Sequence, residues 1–194
     1  MSVAVAVKKN NTVILATDSQ TSFGGMRVPT DNLFTKKMHK IGPSYLATTG
    51  WGLYENILDD FLSKNRSADI ESKSAIFSFF MKLWKELHND YPFVKDQSDK
   101  EDESPFGNLD AQFLVISPQG IFHVGTDMSV TAFQKYYAIG SGADYALGAI
   151  SAVYSREEKP EIIARTAVTA AMDFDLHCSG SIDLAEISLE SVQK

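Results

Sequence analysis

The sequence contains one cysteine, Cys178, among 194 residues. An internal disulfide is therefore excluded, and so is a metal site built from several thiolates. A single thiol is typical of a reducing compartment, which predicts a cytoplasmic protein. No run approaches the roughly 18 consecutive apolar residues of a membrane span, and the N-terminus lacks the features of a secretory signal. We therefore expect no membrane partner and no export.

Clusters of basic side chains are also missing. The formal net charge is −7 and the pI is about 5.0. The two lysine pairs, Lys8–Lys9 and Lys36–Lys37, are too small to neutralise a run of phosphates, which nucleic-acid binding requires. This composition predicts no nucleic-acid partner.

Metal-ligand patterns are absent as well. The segment 95–104 is acidic, but it lacks carboxylates at ordered spacing around a glycine, so we interpret it as a solvated surface loop and not as a calcium site. No Gly-x-Ser-x-Gly elbow accompanies the histidines, which argues against a Ser-His-Asp hydrolase. The histidines fall on different predicted elements without metal-ligand spacing, and we interpret them as structural: His39, His88, His123 and His177. We expect no metal and no cofactor.

The apolar pattern predicts strands, two helices, strands, two helices and a final strand. Most strands lack a polar face, so both of their faces are expected to be buried. The pattern thus predicts an α+β fold, a four-layer αββα sandwich of two antiparallel sheets flanked by helix pairs, in a single domain over residues 1–194. The predicted strands are 3–7, 12–17, 34–41, 44–49, 111–116, 121–124, 136–139 and 182–189, and the predicted helices are 53–62, 75–87, 145–154 and 161–172.

The N-terminus carries the most informative pattern. Ser2 directly precedes the run Val3–Val7, in which valines occupy one strand face and alanines the other. The next strand returns antiparallel after a tight turn, which brings Asp18 beside Ser2. Removal of Met1 would give Ser2 both a hydroxyl and a free α-amine, the combination that N-terminal nucleophile hydrolases use.

Three segments resemble the peptidase subunits of the proteasome β and HslV type, which belong to the N-terminal nucleophile hydrolase superfamily, and the resemblance extends over nearly the whole chain. The opening resembles the family start, in which a threonine heads a short apolar strand. Ala-Thr-Asp-Ser-Gln at 16–20 and Lys-Lys-Met-His-Lys-Ile at 36–41 resemble the segments that hold the supporting aspartate and the catalytic lysine. The resemblance implies Ser2 as the nucleophile, Asp18 as the support and Lys37 as the lysine, with Lys36 as the one-residue alternative.

Two glycine motifs extend this resemblance. Thr48-Thr49-Gly50 resembles the turn whose glycine amide forms the oxyanion hole, although Trp51 replaces the usual small residue after it. Gly140-Ser141-Gly142 resembles the glycine-serine-glycine signature between a strand and a helix. The resemblance implies an oxyanion role for Gly50 and a supporting role for Ser141.

The last family element is an aspartate followed shortly by a serine or threonine. Asp175 with Ser179 matches it best, and Cys178 is the alternative for the second position. Each site residue also has an ordinary structural interpretation, with Asp18 as a turn former and Lys37 as a surface side chain. The functional interpretation depends on their joint order and spacing.

The resemblance implies an endopeptidase that cleaves unfolded proteins inside a homo-oligomeric ring, with an ATPase unfoldase as partner. In that chemistry the α-amine of Ser2 is the base, Lys37 lowers the pKa of that amine by like-charge repulsion, and the Gly50 amide stabilises the oxyanion. Two alternatives remain. In the first alternative the chain is a catalytically inactive structural ring subunit. In the second it is an amidase with the same fold that acts on a small amide.

Overall fold

Two antiparallel sheets and four helices account for most of the residues that the computed structural model describes, which are 2–23, 26–28, 32–33, 36–91 and 109–189. The acidic segment 95–104 lies outside these described residues. The described strands are β1 Val3–Lys9, β2 Thr12–Asp18, β3 Ser22–Phe23, β4 Met26–Arg27, β5 Met38–Ile41, β6 Ser44–Gly50, β7 Ala111–Ser117, β8 Gly120–Val124, β9 Val130–Phe133, β10 Tyr136–Gly140 and β11 Ile182–Ser188. The described helices are α1 Leu53–Lys64, α2 Lys73–Asp90, α3 Ala143–Val153 and α4 Pro160–Phe174.

The first sheet has the strand order β10-β1-β2-β11, and the second has the order β5-β6-β7-β8-β9. The predicted N-terminal hairpin is confirmed, because β1 and β2 pair antiparallel with Ala4 opposite Thr17. On its other side β1 pairs with β10, with Val3 opposite Gly140. The first strand of the chain is therefore held between two neighbours.

The layer order is helix pair, sheet, sheet, helix pair, which confirms the predicted αββα sandwich. Val3, Val5 and Val7 pack against α3 and α4. Ala4 and Ala6, on the opposite face of β1, pack in the cluster between the two sheets. Both faces of β1 are therefore buried, which explains why the strand has no polar face. The small alanine side chains also let the second sheet approach closely. The other helix pair, α1 and α2, covers the outer face of the second sheet.

Some element boundaries differ from the predicted ones. The strand predicted over 34–41 begins at Met38 in the structure, so Lys37 precedes it, although the Lys37 carbonyl still accepts the Thr48 amide at 3.1 Å. Strand β9 was not predicted, because it buries only Val130 fully and shows no apolar alternation. The two-residue strands β3 and β4 are too short to produce a periodic signal. No helix in the described part of the chain has the length and apolar character needed to cross a membrane.

The topology brings four strand ends to one edge of the sandwich. Because β2 and β10 both run antiparallel to β1, their last residues, Asp18 and Gly140, lie beside its first residues. The end of β6 reaches the same edge, since Thr49 Cγ2 lies 3.1 Å from where a Cβ on Gly140 would be. Residues distant in sequence therefore meet around Ser2.

Candidate active site

Asp18 is the centre of a buried hydrogen-bond network at this edge. Its side chain is fully buried, and Oδ1 accepts hydrogen bonds from the Val3 amide at 3.0 Å and from Lys37 Nζ at 2.8 Å. Oδ2 accepts the amides of Gln20 at 3.1 Å and Ser179 at 3.2 Å. Four donors on one carboxylate compensate for its removal from water. Asp18 accepts the amide two residues on, as a turn former does, but it is buried and also binds Val3, Lys37 and Ser179.

Lys37 is buried against this carboxylate. Only 5% of its surface is exposed, whereas Lys36 is an exposed residue. The structure therefore brings Lys37, and not Lys36, to Asp18, and the interpretation of Lys37 as a surface side chain is wrong. A buried ion pair contributes little net stability compared with apolar packing, and such pairs are frequent in active sites.

The backbone of Ser2 is held by the glycine-rich turn after β10. Ser2 is 6% exposed, and its carbonyl oxygen accepts the Gly142 amide at 3.4 Å, with the Ser141 hydroxyl oxygen also 3.4 Å away. Gly140 has a φ of +95°, and a Cβ there would lie 2.1 Å from the Ser2 carbonyl oxygen. Only glycine permits this close approach. The segment from Gly140 to Gly142 therefore fixes the position of the N-terminal residue.

Asp175 ends helix α4 and binds the residues that follow it. Its carboxylate accepts the His177 amide at 2.9 Å and the Cys178 thiol at 3.4 Å. Partial burial tends to raise the pKa of Asp175, but hydrogen bonds from Ser141, His177 and Cys178 outweigh it and hold that pKa below its usual range. Asp175 thus links Ser141 to the turn that follows α4.

Both candidates for the last site position, Cys178 and Ser179, take part in the network, each through a different group. The Cys178 side chain is buried and contacts Asp175, whereas Ser179 reaches the network through its backbone amide on Asp18. Burial, with the negative charges of Asp18 and Asp175, raises the pKa of the Cys178 thiol well above its ordinary value. The thiol is therefore a protonated hydrogen-bond donor in this structure.

Gly50 ends β6 at the same edge. Its φ is +138°, and a Cβ there would lie 2.4 Å from the Asp110 carbonyl oxygen, so any side chain would displace the neighbouring strand. Trp51 follows it and is 71% exposed. The bulky residue that departs from the family pattern therefore points to solvent and leaves the glycine backbone in place.

Sequence reasoning missed two acidic residues on α1 that face this region. Glu55 is half-buried, and burial raises its pKa while the nearby Lys37 charge lowers it. Asp59, one turn later, places Oδ1 3.4 Å from His39 Nδ1. Glu55 and Asp59 are four residues apart, which places them on the same face of the helix. That spacing could have identified them as neighbours, but which face of α1 packs on β5 was not evident from the sequence.

The described residues contain no group of three or more metal-ligating side chains arranged to hold an ion. His39 and His123 are buried or partly buried, and burial lowers the pKa of each ring, with Asp59 and Asp127 respectively opposing that shift. The described hydrogen bonds to the Asp18 carboxylate come from other residues than these two histidines. The groups that the structure describes around Ser2 are a hydroxyl, an ammonium, carboxylates and backbone amides.

Comparison with known proteins gives the same fold. No protein-family model matches the chain. BPH of Thiobacillus denitrificans in complex with epoxomicin is similar over 97% of this chain and 100% of its own, with 27% identity and a TM-score of 0.88. Another structure of the same BPH gives 28% identity and a TM-score of 0.86 over 97% and 98% of the two chains. Eukaryotic HslV from Trypanosoma brucei matches 96% of this chain and 99% of its own at 20% identity and a TM-score of 0.66, which supports the fold.

Proposed function

We propose that the chain, which has the fold of the BPH and HslV structures, is a member of the HslV and proteasome β-type peptidases and is an endopeptidase whose nucleophile is Ser2 after removal of Met1. Its substrates are unfolded proteins and peptides. The supporting residues are Asp18, Lys37 and Ser141, and Gly50 supplies the oxyanion donor.

One observation carries this proposal. A single oxygen, Asp18 Oδ1, accepts both the Val3 amide and Lys37 Nζ. The lysine ammonium is thus tied to the residue that follows Ser2 in the chain. An ammonium at this place lowers the pKa of a neighbouring α-amine by like-charge repulsion, which favours the neutral amine that a base must be.

The reaction then proceeds in two balanced steps. The Ser2 hydroxyl oxygen attacks the substrate carbonyl carbon while its proton passes to the Ser2 α-amine. The Gly50 amide donates to the oxyanion, and collapse breaks the C–N bond as the leaving amine takes the proton. Water then attacks the ester on Ser2, which releases the carboxylic acid and regenerates the hydroxyl.

The burial of Lys37 favours an active enzyme over a silent ring subunit. Replacing a buried ion pair by apolar side chains of similar volume is often neutral or stabilising. A chain selected only for architecture therefore gains little from Lys37 and Asp18, which are 5% and 0% exposed. A catalytic role explains why two charged groups occupy this place.

Assembly into a homo-oligomeric ring follows from the family and is part of the proposal. Among the described residues, the most exposed large apolar side chains are Met26, Trp51, Phe174 and Leu176. We treat residues 1–194 as one domain of a cytoplasmic ring subunit, to which an ATPase unfoldase delivers substrates. Native mass spectrometry tests the ring, and a folded substrate that is cleaved only when an unfoldase and ATP are added tests the partner.

Intact-mass measurement of natively expressed protein tests the nucleophile. The protein is measured with and without a peptide epoxyketone or a β-lactone, alongside the Ser2→Ala and Ser2→Thr variants. We expect loss of the Met1 mass, one adduct on the wild type and on Ser2→Thr, and none on Ser2→Ala. Threonine keeps the hydroxyl and the amine, so it is the matched control for a change of side chain.

Two results would overturn the proposal. One is a Met1 that stays attached in the cell, because Ser2 then has an amide nitrogen and no amine base. The other is an adduct that persists on processed Ser2→Ala. Turnover of small acyl amides without cleavage of unfolded protein would instead support the amidase alternative.

A further inference from the structure

The amide of Gly50 points away from β7, to the side on which Lys37 lies. The Thr48 amide donates to the Lys37 carbonyl at 3.1 Å, on the side of β6 that pairs with β5. Backbone amides alternate in direction along a strand, so the Gly50 amide, two residues further on, points to the same side. Lys37 is bound there to the carboxylate of Asp18. The amide proposed as the oxyanion donor therefore faces the catalytic lysine.

Contacts on two sides hold the end of β6 that carries this amide. Thr49 Cγ2 lies 3.1 Å from where a Cβ on Gly140 would be, and that Cβ would lie 2.1 Å from the Ser2 carbonyl oxygen. On the other side, a Cβ on Gly50 would lie 2.4 Å from the Asp110 carbonyl oxygen, just before β7. Because packing this close transmits a shift instead of absorbing it, a displacement of Asp110 also displaces Gly50.

The hydroxyl of Tyr54 holds Asp110 in this position. Tyr54 lies in the first turn of α1, is 7% exposed and packs in the cluster between the second sheet and the helices that cover it. Its Oη accepts the Asp110 amide at 3.3 Å, and its own amide donates to the Trp51 carbonyl at 3.0 Å. Burial raises the pKa of the Tyr54 phenol, the Asp110 amide lowers it and the Asp110 carboxylate raises it further. Tyr54 is thus tied both to the turn after Gly50 and to Asp110.

Open space borders Asp110 on the side opposite Tyr54. A cavity of about 330 Å³ is lined there by Asp110 and Thr126 and by Gly140 at the edge of the first sheet. The preceding residue is held separately, because the Leu109 amide donates to the Thr126 carbonyl at 2.7 Å. Tyr54 approaches from the helix-covered face of the second sheet. Packing from the cavity side therefore contributes little to the position of Asp110, and the hydrogen bond to Tyr54 contributes more.

We propose that Tyr54 is a positioning residue, which holds Asp110 against Gly50 and thereby sets the direction in which the Gly50 amide meets the oxyanion. The inference rests on the proposed function, because it requires Gly50 to be the oxyanion donor. Such a donor acts at about 2.7–3.1 Å, and removal of a whole donor costs about 10²–10³ in rate. A donor that is displaced and not removed should cost part of this, about tenfold.

Inactivation kinetics with a β-lactone test this role. Tyr54→Phe keeps the buried ring and removes only the hydroxyl. Tyr154→Phe is the matched control, because the Tyr154 hydroxyl also binds backbone, donating to the Lys8 carbonyl at 2.7 Å near the end of β1 remote from Ser2. We expect Tyr54→Phe to lower the maximal rate of Ser2 acylation about tenfold without changing the half-saturating lactone concentration. Tyr154→Phe should change neither.

Two reversible inhibitors of one peptide sequence separate the oxyanion from substrate binding. A peptide aldehyde adds the Ser2 hydroxyl across its carbonyl, so that a C–O bond forms and the aldehyde oxygen, which receives the proton, takes the place of the oxyanion. The corresponding peptide alcohol has no carbonyl and binds only through the rest of the peptide. Tyr54→Phe should therefore weaken the aldehyde about tenfold and leave the alcohol unchanged.

Hydrogen exchange of the unsubstituted protein tests the contact itself. Asp110 is an exposed residue, but its amide should exchange slowly because the Tyr54 hydroxyl accepts it. Exchange of this amide at the rate of an unstructured chain would overturn the inference, even if Tyr54→Phe failed to fold.

Comparison of the wild type with Tyr54→Phe separates this inference from the proposed function. A wild type that acquires a Ser2 adduct, together with a Tyr54→Phe protein that is acylated equally fast, overturns the inference alone. Equal weakening of the aldehyde and the alcohol also overturns it, because Tyr54 then supports the cleft as a whole. A wild type without a Ser2 adduct overturns both.

Discussion

Lys37 Nζ lies 2.8 Å from Asp18 Oδ1, and both side chains are almost completely buried. The two partners are not equivalent. Asp18 also accepts three backbone amides, from Val3, Gln20 and Ser179, whereas the described hydrogen bonds of the Lys37 ammonium go to Asp18 alone. The loss of one partner should therefore cost a different amount from the loss of the other.

We predict that Asp18→Ala destabilises the fold more than Lys37→Met. Removing the carboxylate leaves a buried ammonium and three amides without their acceptor. The free energy of unfolding should therefore fall by no less than the loss expected for one broken buried ion pair, which is about 3–5 kcal/mol. Lys37→Met leaves Asp18 with three donors and should cost less, although it should abolish acylation of Ser2. Urea unfolding measures both free energies, and equal losses would contradict this asymmetry.

We predict that Gly140→Ala is more damaging than Gly120→Ala. Both glycines have positive φ, +95° and +136°, so both substitutions strain the backbone by about 1–2 kcal/mol. A Cβ at Gly140 would also lie 2.1 Å from the Ser2 carbonyl oxygen, whereas a Cβ at Gly120 would meet no atom of the described residues within 4 Å, its two chain neighbours apart. Gly140→Ala should therefore lose more stability and also lose Ser2 acylation.

Gly148 supplies a control of opposite sign. It lies exposed within α3, and apart from its chain neighbours and its own helix backbone, no atom of the described residues lies within 4 Å of where its Cβ would be. Gly148→Ala should raise the free energy of unfolding by about 0.5–1 kcal/mol, because alanine favours the helix. A Gly140→Ala protein as stable and as reactive as Gly120→Ala would show that the approach to Ser2 is not tight.

Stability should fall as the pH decreases through the range in which exposed histidines become protonated. Burial lowers the pKa of His39 and His123 in the folded protein, and the Nε2 atom of each is buried and has no hydrogen-bond partner among the described residues. The unfolded chain therefore binds more protons in this range, so the stabilisation is present above about pH 6.5 and is lost below it. The double variant His39→Gln, His123→Gln should reduce the slope in urea unfolding at a series of pH values. An unchanged slope would assign the effect to other groups.

The Cys178 thiol should be unreactive in the folded protein. It is buried, and burial together with Asp18 and Asp175 raises its pKa, so little thiolate exists at neutral pH. We expect iodoacetamide to label it slowly in buffer and rapidly in urea. Cys178→Ser keeps a donor to Asp175 and should retain Ser2 acylation, whereas fast labelling of the native protein would contradict the burial.

Local patterns predicted most of the fold. The alternation of Val3–Val7 between valine and alanine indicated two buried faces, and these faces pack on helices and on the second sheet. The tight turn after Lys9 placed Asp18 near Ser2 without knowledge of any other element. Such features depend on residues close in sequence, and a side-chain period of 2 or 3.6 expresses them directly. Strand β9 escaped because it has no such period.

What the sequence by itself determined was therefore the element order, the layers and the meeting of Ser2 with Asp18, since each depends on neighbouring residues and on the burial of apolar surface. Only the tertiary structure decided that Lys37 and not Lys36 reaches the carboxylate, and that Cys178 contacts Asp175 by its side chain while Ser179 binds Asp18 by its amide. These choices depend on the register between distant strands and turns. A shift of one residue in the pairing of two strands moves every side chain to the opposite face of the sheet. The composition of the chain does not specify which pairing register forms.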